Sequence, residues 1–187
     1  MMRFIRRTVA LMLGVAAVTG ARAADTYKID PAHTGVGFTI SHLVISEVNG
    51  RFDDVAGEIT LDKDALTAAK ATIQTKSIDT AIKKRDDHLR SPDFFDAEKY
   101  PTITFESTKV EKDQITGNFT MHGVTKEISL PFKLKGPIKD PWGGTRLAVT
   151  AETTINRTDY GMKSTTGVGD DVKIRITAEA TKAEEKK

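Results

Sequence analysis

The chain has 187 residues, with 28 Lys and Arg against 26 Asp and Glu, four His, one Trp and no Cys. Without cysteine there are no disulfides and no thiolate metal ligands, so stability has to come from a buried core. A net charge of +2 with no basic stripe gives no footing for nucleic acid.

Taken in order, the first 23 residues read as a leader. Arg3, Arg6 and Arg7 precede an uncharged run from Thr8 to Gly20, and Ala21-Arg22-Ala23 fits a small-x-small cleavage site. The run is shorter than the roughly 20 residues a membrane helix needs. A secretory signal peptide cleaved after Ala23 is therefore expected. It carries four Arg and no acid, which leaves 24 basic against 26 acidic residues and a net charge of −2 on residues 24–187. That remainder, about 160 residues, is the length of one domain.

Tyr27 to Asp30 is a short strand ending at Pro31. Val36, Phe38 and Ile40 alternate with small or polar residues, the period of a half-buried strand. Asn49-Gly50 is a turn signal by composition, although the turn can also lie near Ile45–Glu47. Val55 to Leu61 is a further strand, with an irregularity at Asp53-Asp54, and Asp62 to Ala68 reads as a loop or one helical turn. Ala69, Ala71 and Ile73 alternate with Lys70, Thr72 and Gln74. The next stretch breaks the period. Asp79 or Thr80 can cap a helix, Ile82 and Leu89 share a face with Arg85 and Asp86, and Ser91-Pro92 stops it. Helix is expected within residues 81–97, carrying the adjacent Phe94 and Phe95.

Alternation resumes at Ile103 and Phe105, then Ile115 to Met121, with His122-Gly123 as a tight turn. Ile128, Leu130, Phe132 and Leu134 follow, where Pro131 implies an edge or an irregularity. Gly136 to Gly144 reads as a loop with Trp142 at a surface turn, Leu147 to Ile155 as a strand, Asn156 to Gly169 as a polar loop, and Val172 to Ala180 as the last strand. About eight strands and one short helical insert argue an all-β fold, a closed antiparallel barrel or a sandwich. Phe38, Ile73, Phe105, Phe119, Leu130 and Phe132 sit on the apolar phase of their strands and are expected inside. Ala69, Ala71, Gly117, Ala151, Ala178 and Ala180 share that phase and leave room for a cavity.

Leu89, Phe94 and Phe95 give the insert more apolar surface than one packing face needs, so they are expected to line or close the mouth of such a cavity. Arg85 and His88 either bind a polar head group there or form a network that fixes the helix. The four histidines, His33, His42, His88 and His122, show no metal-ligand spacing, so no metal and no cofactor is expected.

Five segments in order resemble the YceI-like family of small secreted bacterial proteins: Asp30-Pro31-Ala32-His33 leading to Phe38–Leu43, the central stretch from Ser77 to Phe105, Ile115–Thr120, Gly123–Lys126, and Asp140–Arg146. The resemblance implies a periplasmic, lipocalin-like antiparallel barrel that holds a long isoprenoid lipid, polyprenyl or isoprenoid-quinone in type. It implies no catalysis, transient membrane contact, and a monomer or homodimer. Two other readings stand beside it: an enzyme acting on such a lipid through His88 and Asp86 or Asp87, and a stress-related protein with a solid core and no ligand.

Overall fold

The structure, a computed structural model, describes residues 24–163 and 165–183. The leader expected over residues 1–23 lies outside the described residues. The period-2 alternation becomes strands β1 (Asp25–Ile29), β2 (Gly35–His42), β3 (Ser46–Phe52), β4 (Val55–Asp62), β5 (Ala65–Gln74) and the two-residue β6 (Ile78–Asp79). Helix α1 (Lys83–Arg90) follows, then β7 (Thr102–Val110), β8 (Gln114–Met121), β9 (Val124–Lys139), β10 (Thr145–Asn156) and β11 (Val168–Lys182).

Eight of these strands close a ring in the order β1-β4-β5-β7-β8-β9-β10-β11, because β1 also pairs with β11. Every pairing is antiparallel, so the fold is the all-β antiparallel barrel with one short helical insert. One edge of β11 is shared. Its last part pairs with β1 (Ile29↔Ala180) and its first part with β2 (Gly35↔Thr177). Beyond that handover β2, β3 and β6 run on as a wing at one end of the barrel, called here the upper end, and α1 is tied to it by Arg90, which donates to the Lys76 and Ile78 carbonyls.

Several local expectations change. Asn49-Gly50 is not a turn but lies inside β3, where Gly50 faces the Phe38 ring across the ladder; a Cβ there would come within 2.3 Å of it. The turn is the three-residue loop 43–45, between the paired His42 and Ser46. The loop read from Asp62 is a two-residue turn at Lys63-Asp64, both in the left-handed region, and β5 starts at once at Ala65. β9 runs past Pro131 to Lys139. The proline occupies the last rung of the β8 ladder, so its missing N–H interrupts nothing beyond. Helix α1 is shorter than residues 81–97 and neither Asp79 nor Thr80 caps it. Asp79 instead accepts from the Ala81 N–H, and the buried Asp86 reaches back from the first turn to accept from the Thr80 N–H and Oγ1 at 2.8 and 2.5 Å.

The core has two layers. A lower one is centred on Tyr27, Leu61, Leu147 and Ala180, and an upper one on Val36, Phe52, Ile103, Phe119 and Tyr160.

Candidate binding cavity

The lower end of the barrel is plugged. Tyr27, Leu61, Leu147 and Ala180 are fully buried there and contribute nothing to the space above them. Above the plug the barrel encloses a cavity of about 440 Å³. Its walls come from the inward phase of the strands: Phe38, Ile73, Phe105, Phe119, Leu130 and Phe132 all line it. Ala69, Ala71, Ala151 and Ala178 line it as well, and their small side chains leave the volume open. Gly117 and Ala180 do not. Gly117 accommodates the Phe105 ring, which a Cβ would meet at 2.7 Å, and Ala180 belongs to the plug.

The insert and the upper loops form the mouth. Leu89, Phe94, Phe95, Arg85 and His88 all line the same cavity, so the eleven side chains expected at the site meet in one place. The two adjacent phenylalanines do different things. Phe95 packs edge-on to Phe52 at 5.8 Å, and Phe52 lies 5.9 Å from Phe38, so Phe95 continues an aromatic row into the core. Phe94 turns the other way and stands edge-on to the exposed His88 ring at 5.0 Å.

The polar groups of the mouth are held as follows. Arg85 donates Nε to Thr80 Oγ1 at 2.7 Å and a terminal nitrogen to the Thr80 carbonyl at 2.8 Å. Among the described residues it makes no ion pair. His88 Nε2 lies 3.1 Å from Asp93, not from Asp86 or Asp87. Asp87 is taken by Lys83 at 2.6 Å and Arg90 at 3.2 Å; the Lys83 bond above all holds its carboxyl below the usual range. Such a set can meet a polar head group, and the carboxylate it sets beside His88 is Asp93 rather than Asp86 or Asp87.

Arg157, in the loop read only as polar, is 3% exposed. It donates to the carbonyls of Lys163 at 2.6 Å and Gly169 at 2.9 Å and pairs with Asp170 at 2.9 Å. It thereby staples the upper loop across the cavity rim, with Tyr160 and Met162 buried beside it. The only sequence signal was the presence of those two large side chains in a polar loop.

At the lower end Arg146 bonds Asp30 at 2.9 Å, Asp140 at 2.9 Å and Glu179 at 2.8 Å. Asp30, His33 and Glu179 have ligand atoms within 4.8 Å of one another, as a metal site would, but the guanidinium already supplies the positive charge there. Trp142 is 84% exposed at the β9–β10 tip, remote from the mouth.

A family model, the YceI-like domain, matches residues 27–180. A UPF0312 protein of Pseudomonas paraeruginosa is 42% identical over 180 residues, covering 91% of this chain and 94% of its own. Protein YceI of Escherichia coli is 44% identical over 156 residues, covering 79% and 82%. Among solved structures, the Campylobacter jejuni YceI protein superposes with a TM-score of 0.69 at 33% identity, over 75% of this chain and 88% of that one. A polyisoprenoid binding domain from Saccharophagus degradans gives 0.68 at 17% identity, over 84% and 98%, a likeness of fold.

Proposed function

The chain belongs to the YceI-like domain family, and from that premise we propose that it is an exported, periplasmic protein that sequesters or carries one long-chain isoprenoid lipid in its barrel. The observation that carries the reading is the cavity itself: walled mostly by apolar side chains, plugged below, and with Arg85, His88 and Arg157 among the residues at its mouth. An isoprenoid tail in water costs about 0.8 kcal/mol per CH₂, so a protein moving it through an aqueous compartment has to bury it. The Saccharophagus neighbour is a polyisoprenoid binding domain; carrying that ligand class over to this chain is our step, supported by the apolar walls.

The tail would occupy the space between Phe38, Phe105, Phe119 and Phe132, with its polar end toward Arg85 and His88. Lining by small alanines admits a flexible chain, and the aromatic row gives it flat surfaces to lie against. Catalysis on the lipid through His88 and Asp86 or Asp87 finds no support in the geometry, since both carboxylates are engaged elsewhere.

Native mass spectrometry of protein purified from its own host, before and after organic extraction, tests the reading. A bound species whose mass tracks isoprene units, and which extraction removes, is the expected result. A protein that emerges empty and takes up no added polyprenol would overturn it. Export is checked by N-terminal sequencing of the periplasmic fraction, which should begin at Ala24.

A further inference from the structure

The tip of the β2–β3 hairpin is costly to the fold in two ways. Leu43, Val44 and Ile45 are 56%, 95% and 86% exposed. Leu43 and Val44 also hold φ values of +51° and +63°, a region that disfavours every residue with a Cβ and most of all a Cβ-branched one such as Val44. Within this three-residue loop the Ile45 N–H bonds the His42 carbonyl at 3.3 Å, and at Leu43 and Val44 glycine would sit without strain. Of the three side chains, Leu43 finds a neighbour in Gly167. Local strain combined with exposed apolar surface marks a place kept for contact rather than for stability.

The tip adjoins the cavity mouth. His42 on one arm and Val48 on the other line the cavity, and the Leu43 N–H donates to the Gly167 carbonyl at 2.7 Å, beside the lining residues Thr165 and Val168. Ile82, 51% exposed, leads into α1 at the same mouth.

We propose that this tip docks the protein on a lipid bilayer, its apex entering the interface so that the cavity mouth opens onto the acyl chains. The proposal rests on the barrel taking a lipid, and names the surface from which it does so. A second copy of the chain is a poorer occupant, because three residues on a convex apex present far less than the about 800 Å² per partner of an ordinary protein interface. The apex carries no charge, so docking should occur on zwitterionic lipid and resist salt. The exposed Ile138 and Trp142 are the rival contact, but they belong to the plugged end.

The absence of cysteine makes the experiment clean. Val44→Cys and Trp142→Cys are each labelled with an environment-sensitive fluorophore and mixed with phosphatidylcholine vesicles. The label at 44 should shift to the blue and the label at 142 should not. Val44→Asn/Ile45→Thr should lower vesicle association about tenfold or more, the equivalent of about 1.4 kcal/mol. The same variant should take up polyprenol from detergent micelles normally and melt no lower. Unchanged vesicle association in that variant, a shift at 142 instead, or a shift at 44 that needs only protein concentration would each overturn the proposal. Failure of polyprenol uptake from micelles by the unsubstituted protein would instead remove the lipid-binding reading, while the vesicle measurement still decides docking.

Discussion

Two side chains carry the sharpest tests at the level of single residues. Phe94 stands at the mouth against His88, apart from the packed aromatic row that Phe95 joins. Phe94→Ser should cost lipid affinity, by about 1–2 kcal/mol for the lost apolar contact, with little change in melting temperature. A binding titration beside a thermal melt separates this from the alternative, a large loss of stability with binding intact, which would make Phe94 a core residue. Arg146 offers a pH test. Its bond holds the Asp140 carboxyl below the ordinary range, and it does the same for Asp30, where His33 contributes more. Depressed carboxylates contribute stability that is complete above their unfolded pKa, about 3.9, and is lost as pH falls through the folded values. The melting temperature of the protein should therefore fall steeply below about pH 4. Arg146→Met should start lower at neutral pH and fall less on acidification. The phenylalanines were legible because alternation is local: the phase of a strand can be read from the strand alone. Arg157 was not, because its partners are carbonyls from residues 163 and 169 whose positions only the folded loop sets.

Among the elements, α1 depends on contacts outside its own length. Eight residues make a helix too short to persist alone, and Asp86 fastens its first turn to Thr80. Asp86→Ala would leave the Thr80 N–H and hydroxyl short of a buried acceptor. A cost of about 1–3 kcal/mol is expected in denaturant unfolding, with hydrogen exchange rising first around residues 80–90. An expected cap at Asp79 or Thr80 proved to be the reverse arrangement, with the helix supplying the acceptor and the preceding residue the donors. The β2–β3 hairpin misled for a different reason. Asn-Gly is the favoured turn pair, but here the glycine is needed inside β3 to admit the Phe38 ring, and the turn falls to residues that local preference would reject. Tertiary demand overrode turn chemistry inside β3 and at the turn that leads into it.

For the molecule as a whole, the cavity and the closure of the barrel are separable. Ala151 lies on the cavity wall opposite Phe132 in register. Ala151→Leu should fill part of the space, adding apolar burial of about 2 kcal/mol at most. The protein should melt no lower while its capacity for polyprenol falls, measured by titration. A cavity that accepted the added side chain and bound lipid as before would show that the tail lies elsewhere. The eight-stranded ring itself was visible in the sequence only as a count of strands. Nothing local could show that β1 would close it, because pairing partners far apart leave no periodic trace.

That closure has a consequence for how the chain comes to be folded at all. Ile29 and Ala180 are rungs of one ladder, so the first and last strands must meet before the ring exists. Such a long-range pairing makes for slow folding, since the loop entropy is lost before the contact is gained. Until β11 arrives, β1 and β10 each present an open edge and the apolar interior faces water, the condition under which chains aggregate. On the export proposed above, a chain emerging end-first from a secretion pore would be in that condition for the whole of its passage. Moving the termini does not remove the problem: a circular permutant that joins residues 24 and 183 and opens at the Lys63-Asp64 turn makes the three-rung β1–β11 pairing local but turns the eight-rung β4–β5 pairing into the distant one, so it should refold no faster in a stopped-flow measurement.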